Sequence, residues 1–197
     1  SVVLDNTTFL GCTFLNDNVE LQLRKRGAII YPIIKGLPYN PYRSALYKWQ
    51  ELEAVKKNGH TVDFDIYQHF FASKQQPSIN EALSQRIHDN AIDDALRALL
   101  QIDAAGMSQK KCVGIMGGHG TKRDKPYYRK TAFTAKLLAE AGYFVVSGGG
   151  PGIMEAANLG AYFAGKPHSE LEEAIKMLTV APYFTNEGYV QCAKDVL

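Results

Sequence analysis

The spacing of hydrophobic residues predicts two strands in the first 35 residues. Leu4, Phe9 and Phe14 lie at intervals of five. This interval is typical of the pentapeptide repeats of a β-solenoid, but two repeats are about half of one coil, so we favour a β-strand or hairpin over residues 2–15. The apolar run at 28–34 predicts a second strand, at the edge or end of a sheet because it contains a proline.

After these strands the pattern predicts a loop and then helices. Residues 35–47 are rich in Gly, Pro, Tyr and Asn, which indicates an ordered loop. Its expected anchors are Tyr39, Tyr42 and Tyr47. A short helix is predicted over 49–57, whereas 61–71 does not distinguish helix from strand. Apolar residues recur every four positions over 79–99, which predicts a long amphipathic helix with Ser78 as its cap.

Strands and helices alternate in the second half. A linker at 106–111 leads into a short buried strand at 112–116, a helix at 126–141 and a second strand at 143–146. Cys112, at the start of the first of these strands, is predicted to be a small core residue. This order predicts an α/β fold with a Rossmann-like parallel sheet, incomplete in this chain, after an N-terminal α+β extension. The predicted domains are 1–105 and 106–197.

Residues at the helix ends support these predictions. Pro126 suits the first turn of a helix, and Gly142 can adopt the left-handed conformation that ends one. A further helix is predicted to run to residue 164. The spacing of Ser169 and Glu172 matches a capping box, which predicts a helix over 169–178. Residues 187–197 are compatible with one more helix.

Composition narrows the class of protein. With 46% hydrophobic and 21% charged residues, the chain resembles an ordinary soluble globular protein. A net charge of +2 gives no electrostatic reason to expect a nucleic-acid partner. The three cysteines are widely spaced, so they predict neither a disulfide framework nor a metal site, and they fit a reducing compartment. Without a signal peptide or a long apolar run, we expect a cytoplasmic protein with no membrane partner.

Two glycine-rich loops follow the two strands of the second half, and they suggest the chemistry. Glycines let backbone N–H groups approach a ligand, and a following helix adds unpaired N–H groups and the positive end of its dipole. A tight turn without a ligand is the alternative, but four glycines within 148–152 exceed what a turn needs. The predicted nucleotide- or phosphate-binding residues are Gly117, Gly118, His119, Ser147, Gly148, Gly149, Gly150, Gly152, Glu155 and Asn158.

Both loops are expected at the same carboxyl edge of the sheet, where α/β folds bind ligands. The second strand ends in Ser147 rather than an acidic residue, which argues against a classical dinucleotide site. No P-loop sequence is present. Two basic pairs flank the first loop, Lys122-Arg123 and Arg129-Lys130. They either help to hold phosphate or belong to a solvated loop.

Several residues near the loops have two interpretations. Glu155 either favours the dipole of its helix or hydrogen-bonds a ribose hydroxyl or a loop N–H group. His119 donates to a phosphate or base, or is a solvated loop residue. Asn158 reaches a ligand or braces the first loop. Ile153 and Met154 are expected to pack beneath the turn.

The glycine motif carries a family resemblance. Residues 148–161, together with 113–118 and Tyr128, closely resemble the first signature, glycine loop and helix of the LOG (Lonely Guy) family. The resemblance covers 111–165, and 1–105 look like an added region of a longer subgroup. It implies a Rossmann-like fold, usually dimeric, without a cofactor, that hydrolyses the N-glycosidic bond of a nucleoside 5′-monophosphate. Some members were labelled lysine decarboxylases, which we reject because no lysine here has a pyridoxal phosphate context.

The chain departs from the family at the catalytic signature. The family carries a second motif, Pro-Gly-Gly-x-Gly-Thr-x-x-Glu, with a catalytic Glu and an Arg shortly before it, and this sequence has neither. We therefore expect the chain to be the N-terminal part of a longer protein whose catalytic residues lie beyond Leu197. Alternatively, the N-terminal strands complete the sheet and the protein binds a nucleotide or another phosphorylated small molecule without turnover. A homo-oligomer is implied in either case.

Overall fold

The computed structural model describes residues 4–74 and 76–197. The chain forms two compact units, divided between Leu99 and Leu100.

The N-terminal unit begins with a small βαβ arrangement. Strand β1 (Thr8–Leu10) pairs in parallel with β2 (Ile29–Tyr31), and helix α1 (Asp17–Lys25) connects them. The predicted strand near the start of the chain is confirmed, although it is short and Val2 and Val3 lie outside the described residues. The hairpin alternative is wrong for the described residues 4–15, which contain one strand, and the partner of that strand is the parallel β2 beyond α1.

A small apolar cluster supports this arrangement. Leu4, Ala28 and Ile30 are buried at its centre. Phe9, Phe14 and Leu23 pack against them. The residues at intervals of five thus share one core, but they reach it from a strand and its flanking turns rather than from a solenoid.

The remaining helices of this unit are α2 (Trp49–Leu52), α3 (Val62–Ser73) and α4 (Ile79–Leu100). Helix α2 is shorter than predicted, and α3 resolves the ambiguous segment as a helix. The Oγ1 atom of its N-cap, Thr61, accepts from the N–H of Phe64 at 3.2 Å. The Oγ atom of Ser78 accepts from the N–H of Glu81 at 3.2 Å, as predicted for a helix cap.

The tyrosines of the 35–47 loop anchor it as predicted. The hydroxyl of Tyr39 donates to Glu81 at 3.2 Å, and that of Tyr42 donates to the carbonyl of Pro32 at 2.6 Å. The hydroxyl of Tyr47 hydrogen-bonds Nε2 of His88 at 2.9 Å. Because each tyrosine bonds a residue distant in sequence, the loop is held in place although it has no regular secondary structure.

The C-terminal unit is an incomplete Rossmann-like α/β fold. Its two strands pair in parallel, with Cys112 opposite Phe144 and Ile115 opposite Ser147. The α/β prediction is therefore confirmed. The elements of the unit, in order, are β3 (Cys112–Ile115), α5 (Pro126–Glu140), β4 (Phe144–Ser147), α6 (Ile153–Tyr162), α7 (His168–Leu178) and α8 (Tyr189–Val196).

The four helices form the core of this unit. Its buried residues are Tyr128, Ala132, Ala156, Leu159, Phe163, Leu171, Ala174, Ile175 and Leu178. Helices α5 and α6 approach so closely that a Cβ on Gly160 would lie 1.9 Å from the carbonyl oxygen of Ala132. Only glycine fits this position without moving one helix away from the other.

The end of α6 is capped by a buried cation. The Nζ atom of Lys136 donates to the carbonyls of Phe163 and Lys166, at 2.9 and 2.6 Å, and to Glu140. A cation at a helix C-terminus satisfies the last carbonyls and favours the helix dipole.

Other details of the unit confirm or correct the predictions. Pro126 lies at the start of α5, and Gly142 follows its end with φ +83°. Cys112 is exposed rather than buried, and so is Gly114, the next residue of β3 on the same face. The capping box is wrong: α7 begins at His168 without a side-chain cap, and Glu172 pairs with Arg129 instead.

Within the described residues, no helix is both long and apolar enough to cross a membrane.

Candidate nucleotide site

The two glycine loops of the C-terminal unit contact each other at the carboxyl ends of β3 and β4. The carbonyl of Gly118 accepts from the N–H of Ile153 at 3.4 Å. A Cβ on Gly152, whose φ is +73°, would lie 2.5 Å from the same carbonyl oxygen. A Cβ on Gly117 would lie 2.2 Å from Cγ2 of Ile153. Glycine is therefore required for this close approach, and the sequence prediction of adjacent loops agrees with the structure.

Side chains from β4 and α6 hold the second loop in shape. Gly149 has φ +75°, and its N–H donates to Oγ of Ser147 at 3.2 Å. That hydroxyl donates in turn to Oδ1 of Asn158 at 3.2 Å. Asn158 thus braces the second loop, whereas the sequence suggested the first.

The beginning of α6 leaves backbone donors without a side-chain cap. Its N-cap is Gly152, so no side chain caps the N–H groups of the first turn. The N–H of Gly150 has no hydrogen-bond partner within the described chain. The side chain of Met154 lies against Gly148 and Gly150, since a Cβ on them would lie 2.9 and 2.6 Å from its Sδ and Cε atoms. Exposed, unpaired N–H groups at a helix start form a site for an anion.

The carboxylate of Glu155, in the first turn of α6, accepts four hydrogen bonds. Arg123 donates from Nε to Oε2 at 3.1 Å and from Nη2 to Oε1. The hydroxyls of Tyr128 and Tyr189 donate to Oε2 at 3.0 and 2.8 Å. None of these partners is a loop N–H group. Oε1 accepts from a single donor, and the side chain of Glu155 is 20% exposed. That oxygen can therefore accept one more hydrogen bond.

The partner of this carboxylate is fully buried. The side chain of Arg123 is 0% exposed, and its guanidinium stacks 3.4 Å from the centre of the Tyr189 ring. Its Nη1 donates to the carbonyls of Ala181 and Tyr189, both at 3.1 Å, while its own N–H donates to Pro182 at 2.9 Å. Neither interpretation offered for the basic pair holds for Arg123, which joins α6 to the segment before α8.

Burial and charge shift the pKa values of this network in consistent directions. Burial and the neighbouring Glu155 raise the pKa values of the Tyr128 and Tyr189 hydroxyls, which therefore remain protonated donors. Burial lowers the pKa of Arg123, but the hydrogen bonds and charge of Glu155 outweigh it and raise the pKa overall. The network is thus a carboxylate held by three donor side chains.

An aromatic segment lies beside the first loop. His119 makes an edge-on contact with Phe184, with ring centroids 6.3 Å apart. Tyr183 packs against Phe184 at 4.5 Å, and Nζ of Lys122 lies 5.6 Å from the centre of the Tyr183 ring. Phe184 is 40% exposed. The sequence had no signal for this contact, because 65 positions of chain separate the two residues and no local pattern connects them.

The structure therefore brings the predicted residues together around one edge of the sheet. Sequence reasoning missed Tyr189 and Phe184, and it assigned Arg123 roles other than its ion pair with Glu155. The sequence analysis did single out Tyr128 and Glu155, and both belong to the hydrogen-bond network around the Glu155 carboxylate. No group of metal-ligand side chains occurs among the described residues.

Comparison with known proteins agrees with this geometry. A family model described as the SLOG cluster4 family matches residues 110–166, the segment that contains both glycine loops. The match relates this segment to the LOG-like fold and indicates a superfamily of nucleotide-binding or nucleotide-modifying proteins. No curated protein and no solved structure matches the chain.

Proposed function

We propose that the C-terminal unit binds a nucleoside 5′-monophosphate, with the phosphate at the second glycine loop and the first turn of α6. The observation that carries the proposal is the pair of contacting glycine loops beside the start of α6, which has no side-chain cap. A phosphate has several acceptor oxygens and negative charge, so it matches both the donors and the helix dipole.

Glu155 fits the ribose part of such a ligand. Its Oε1 atom has one donor and lies in the first turn of the helix that would bind the phosphate. A ribose hydroxyl can donate the remaining hydrogen bond to that oxygen. Because Arg123 and two tyrosines already hold the carboxylate, it would lose little freedom on binding.

The finer proposal is hydrolysis of the N-glycosidic bond, as in LOG phosphoribohydrolases. In that reaction the bond between C1′ and the base nitrogen breaks. The oxygen of a water molecule bonds to C1′, and a proton goes to the base nitrogen, which yields the free base and ribose 5-phosphate. Because the second LOG signature is absent from these 197 residues, we expect this chain to bind the nucleotide without rapid turnover.

A pair of glycine substitutions tests the binding proposal. Gly149 and Gly165 have φ +75° and +79°, and a Cβ on either would have open space around it. Each change to alanine should therefore cost about 1 kcal/mol of stability through backbone strain alone. We expect Gly149→Ala to weaken binding of adenosine 5′-monophosphate at least tenfold in calorimetry, and Gly165→Ala to leave it unchanged. Equal binding by both variants, or no binding by the unaltered protein, would refute the proposal.

The hydrolysis proposal has a separate assay. The protein is incubated with AMP, GMP, CMP and UMP, and free base and ribose 5-phosphate are measured by chromatography. A non-catalytic nucleotide-binding or sensing function is the second candidate, favoured by the missing catalytic motif. It predicts saturable binding with no released base. If the unaltered protein instead releases base and the Gly149→Ala variant does not, the protein is an enzyme.

A further inference from the structure

We infer that Phe184 is a stacking surface for the base of the bound nucleotide. This inference rests on the proposed function, since it assumes a phosphate at the glycine loops. The observation behind it is the position of the exposed Phe184 ring, in contact with His119 of the first loop.

The contacts form a continuous path from the phosphate end to this ring. The N–H of Ile153, at the start of α6, donates to Gly118, and the next residue, His119, contacts Phe184. A nucleoside 5′-monophosphate carries its phosphate and its base at opposite ends. A phosphate at the start of α6 can therefore direct the base along the first loop towards this aromatic ring.

The segment that carries Phe184 is held firmly. The N–H of Arg123 and its Nη1 donate to Pro182 and Ala181, at 2.9 and 3.1 Å. Asn186 closes the turn: its Oδ1 accepts from the N–H of Tyr183 at 2.7 Å, and its N–H donates to the Tyr183 carbonyl at 2.8 Å. A fixed aromatic ring loses little freedom when a base stacks on it, which favours binding.

The Arg123–Glu155 ion pair joins the two parts of the proposed ligand site. Glu155 belongs to the helix that would bind the phosphate, and Arg123 holds the segment that would bind the base. The ion pair therefore sets the distance between the two ends of the ligand site. Stacking on an aromatic face accepts any base, so Phe184 would add affinity for nucleotides over sugar phosphates without selecting one base.

Two ligands and three variants test the inference. Binding of AMP and of ribose 5-phosphate is measured by calorimetry for the full chain and for Phe184→Ala, Phe184→Trp and Tyr143→Ala. Tyr143 is a matched control, because it is also 40% exposed but lies just before β4, at the opposite end of the strand from the glycine loop. Thermal unfolding of each variant checks that the fold is intact.

We expect Phe184→Ala to weaken AMP binding about tenfold and to leave ribose 5-phosphate binding unchanged. Phe184→Trp and Tyr143→Ala should keep AMP binding within about twofold of the unaltered protein. If Phe184→Ala affects both ligands equally or neither, or if the unaltered protein binds both ligands equally well, the base does not stack there and the phosphate proposal stands. If the unaltered protein binds neither ligand, the proposed function itself is overturned.

Discussion

The chain contains two βαβ arrangements whose carboxyl edges differ. In the first, a tyrosine occupies the edge: the ring of Tyr42 fills the space beside Gly11, which follows β1, and its hydroxyl bonds Pro32, which follows β2. In the second, two exposed glycine loops occupy the edge, and Gly152 begins the helix without a side-chain cap. The same topology thus yields a packed edge in one half and an open edge in the other.

The helix that follows β1 and the helix that follows β4 make the same distinction. Helix α1 is capped by its own Asn16, whose Oδ1 atom accepts from the N–H of Val19 at 3.1 Å. Helix α6 has no such side-chain cap, and the N–H of Ile153 donates to the carbonyl of Gly118 in the other glycine loop. A parallel strand pair alone therefore does not predict a binding site. Whether side chains fill the carboxyl edge of the strands or leave it open decides whether a ligand can bind there.

The largest expected effect concerns the ion pair behind the open edge. We expect Glu155→Gln to lower the free energy of unfolding by about 3 kcal/mol, because it leaves the buried Arg123 without a counter-charge while three carbonyls still accept from it. Urea unfolding followed by circular dichroism measures the change.

The N-terminal unit offers a matched pair. Arg43 also makes a two-point contact with a carboxylate, at 2.8 and 3.1 Å, but its partner Glu51 is 47% exposed. Glu51→Gln should therefore destabilise the protein far less than Glu155→Gln. Similar losses from the two substitutions would mean that burial does not distinguish the two pairs.

The next effect distinguishes a packing glycine from a binding glycine. A Cβ on Gly11, whose φ is +59°, would lie 2.5 Å from Cδ2 of Tyr42, whereas one on Gly149 would meet nothing within 4 Å. We expect Gly11→Ala to cost about 2 kcal/mol, from strain plus displacement of the ring. Gly149→Ala should cost about 1 kcal/mol from strain alone.

A double-mutant cycle checks the cause of this difference. In a Tyr42→Ala background, the extra cost of Gly11→Ala over Gly149→Ala should disappear, because the ring that the new methyl group would displace is absent. If the extra cost persists, contact with Tyr42 is not its origin.

The smallest effect is a loss of stability at alkaline pH. The pKa values of Tyr128 and Tyr189 are raised in the folded chain, mainly by burial, so the folded state holds these protons more tightly than the unfolded state. Their contribution is complete below the unfolded pKa of about 10 and is lost as pH rises above it. Between pH 8 and pH 10 the free energy of unfolding should fall by about 1 kcal/mol or less.

Replacing the two tyrosines shows which half of the chain causes this pH dependence. A Tyr128→Phe, Tyr189→Phe double variant should show a shallower decline than the unaltered protein. The remaining decline would come from Tyr39 and Tyr42 of the N-terminal unit, whose pKa values burial also raises. An unchanged slope in the double variant would place the whole effect outside the C-terminal unit.

Local patterns predicted most elements of the C-terminal unit. Strand β3, helix α5 and strand β4 lie close to their predicted ranges because proline and glycine mark the helix ends and apolar runs mark the strands. The prediction of a capping box failed because of a contact between helices. The Ser169–Glu172 spacing suggested a capping box, but Glu172 pairs with Arg129 of another helix, and a tertiary ion pair overrode the local pattern.

The sequence by itself determined the α/β alternation of the second half and the glycine loops between its elements. These features depend on residues close together in the chain, through backbone freedom and hydrophobic period. Only the tertiary structure decided which residues surround the loops. Arg123 meets Glu155 across 32 positions of chain, and Tyr189 meets it across 34. Such contacts depend on how helices pack, and no local pattern encodes them.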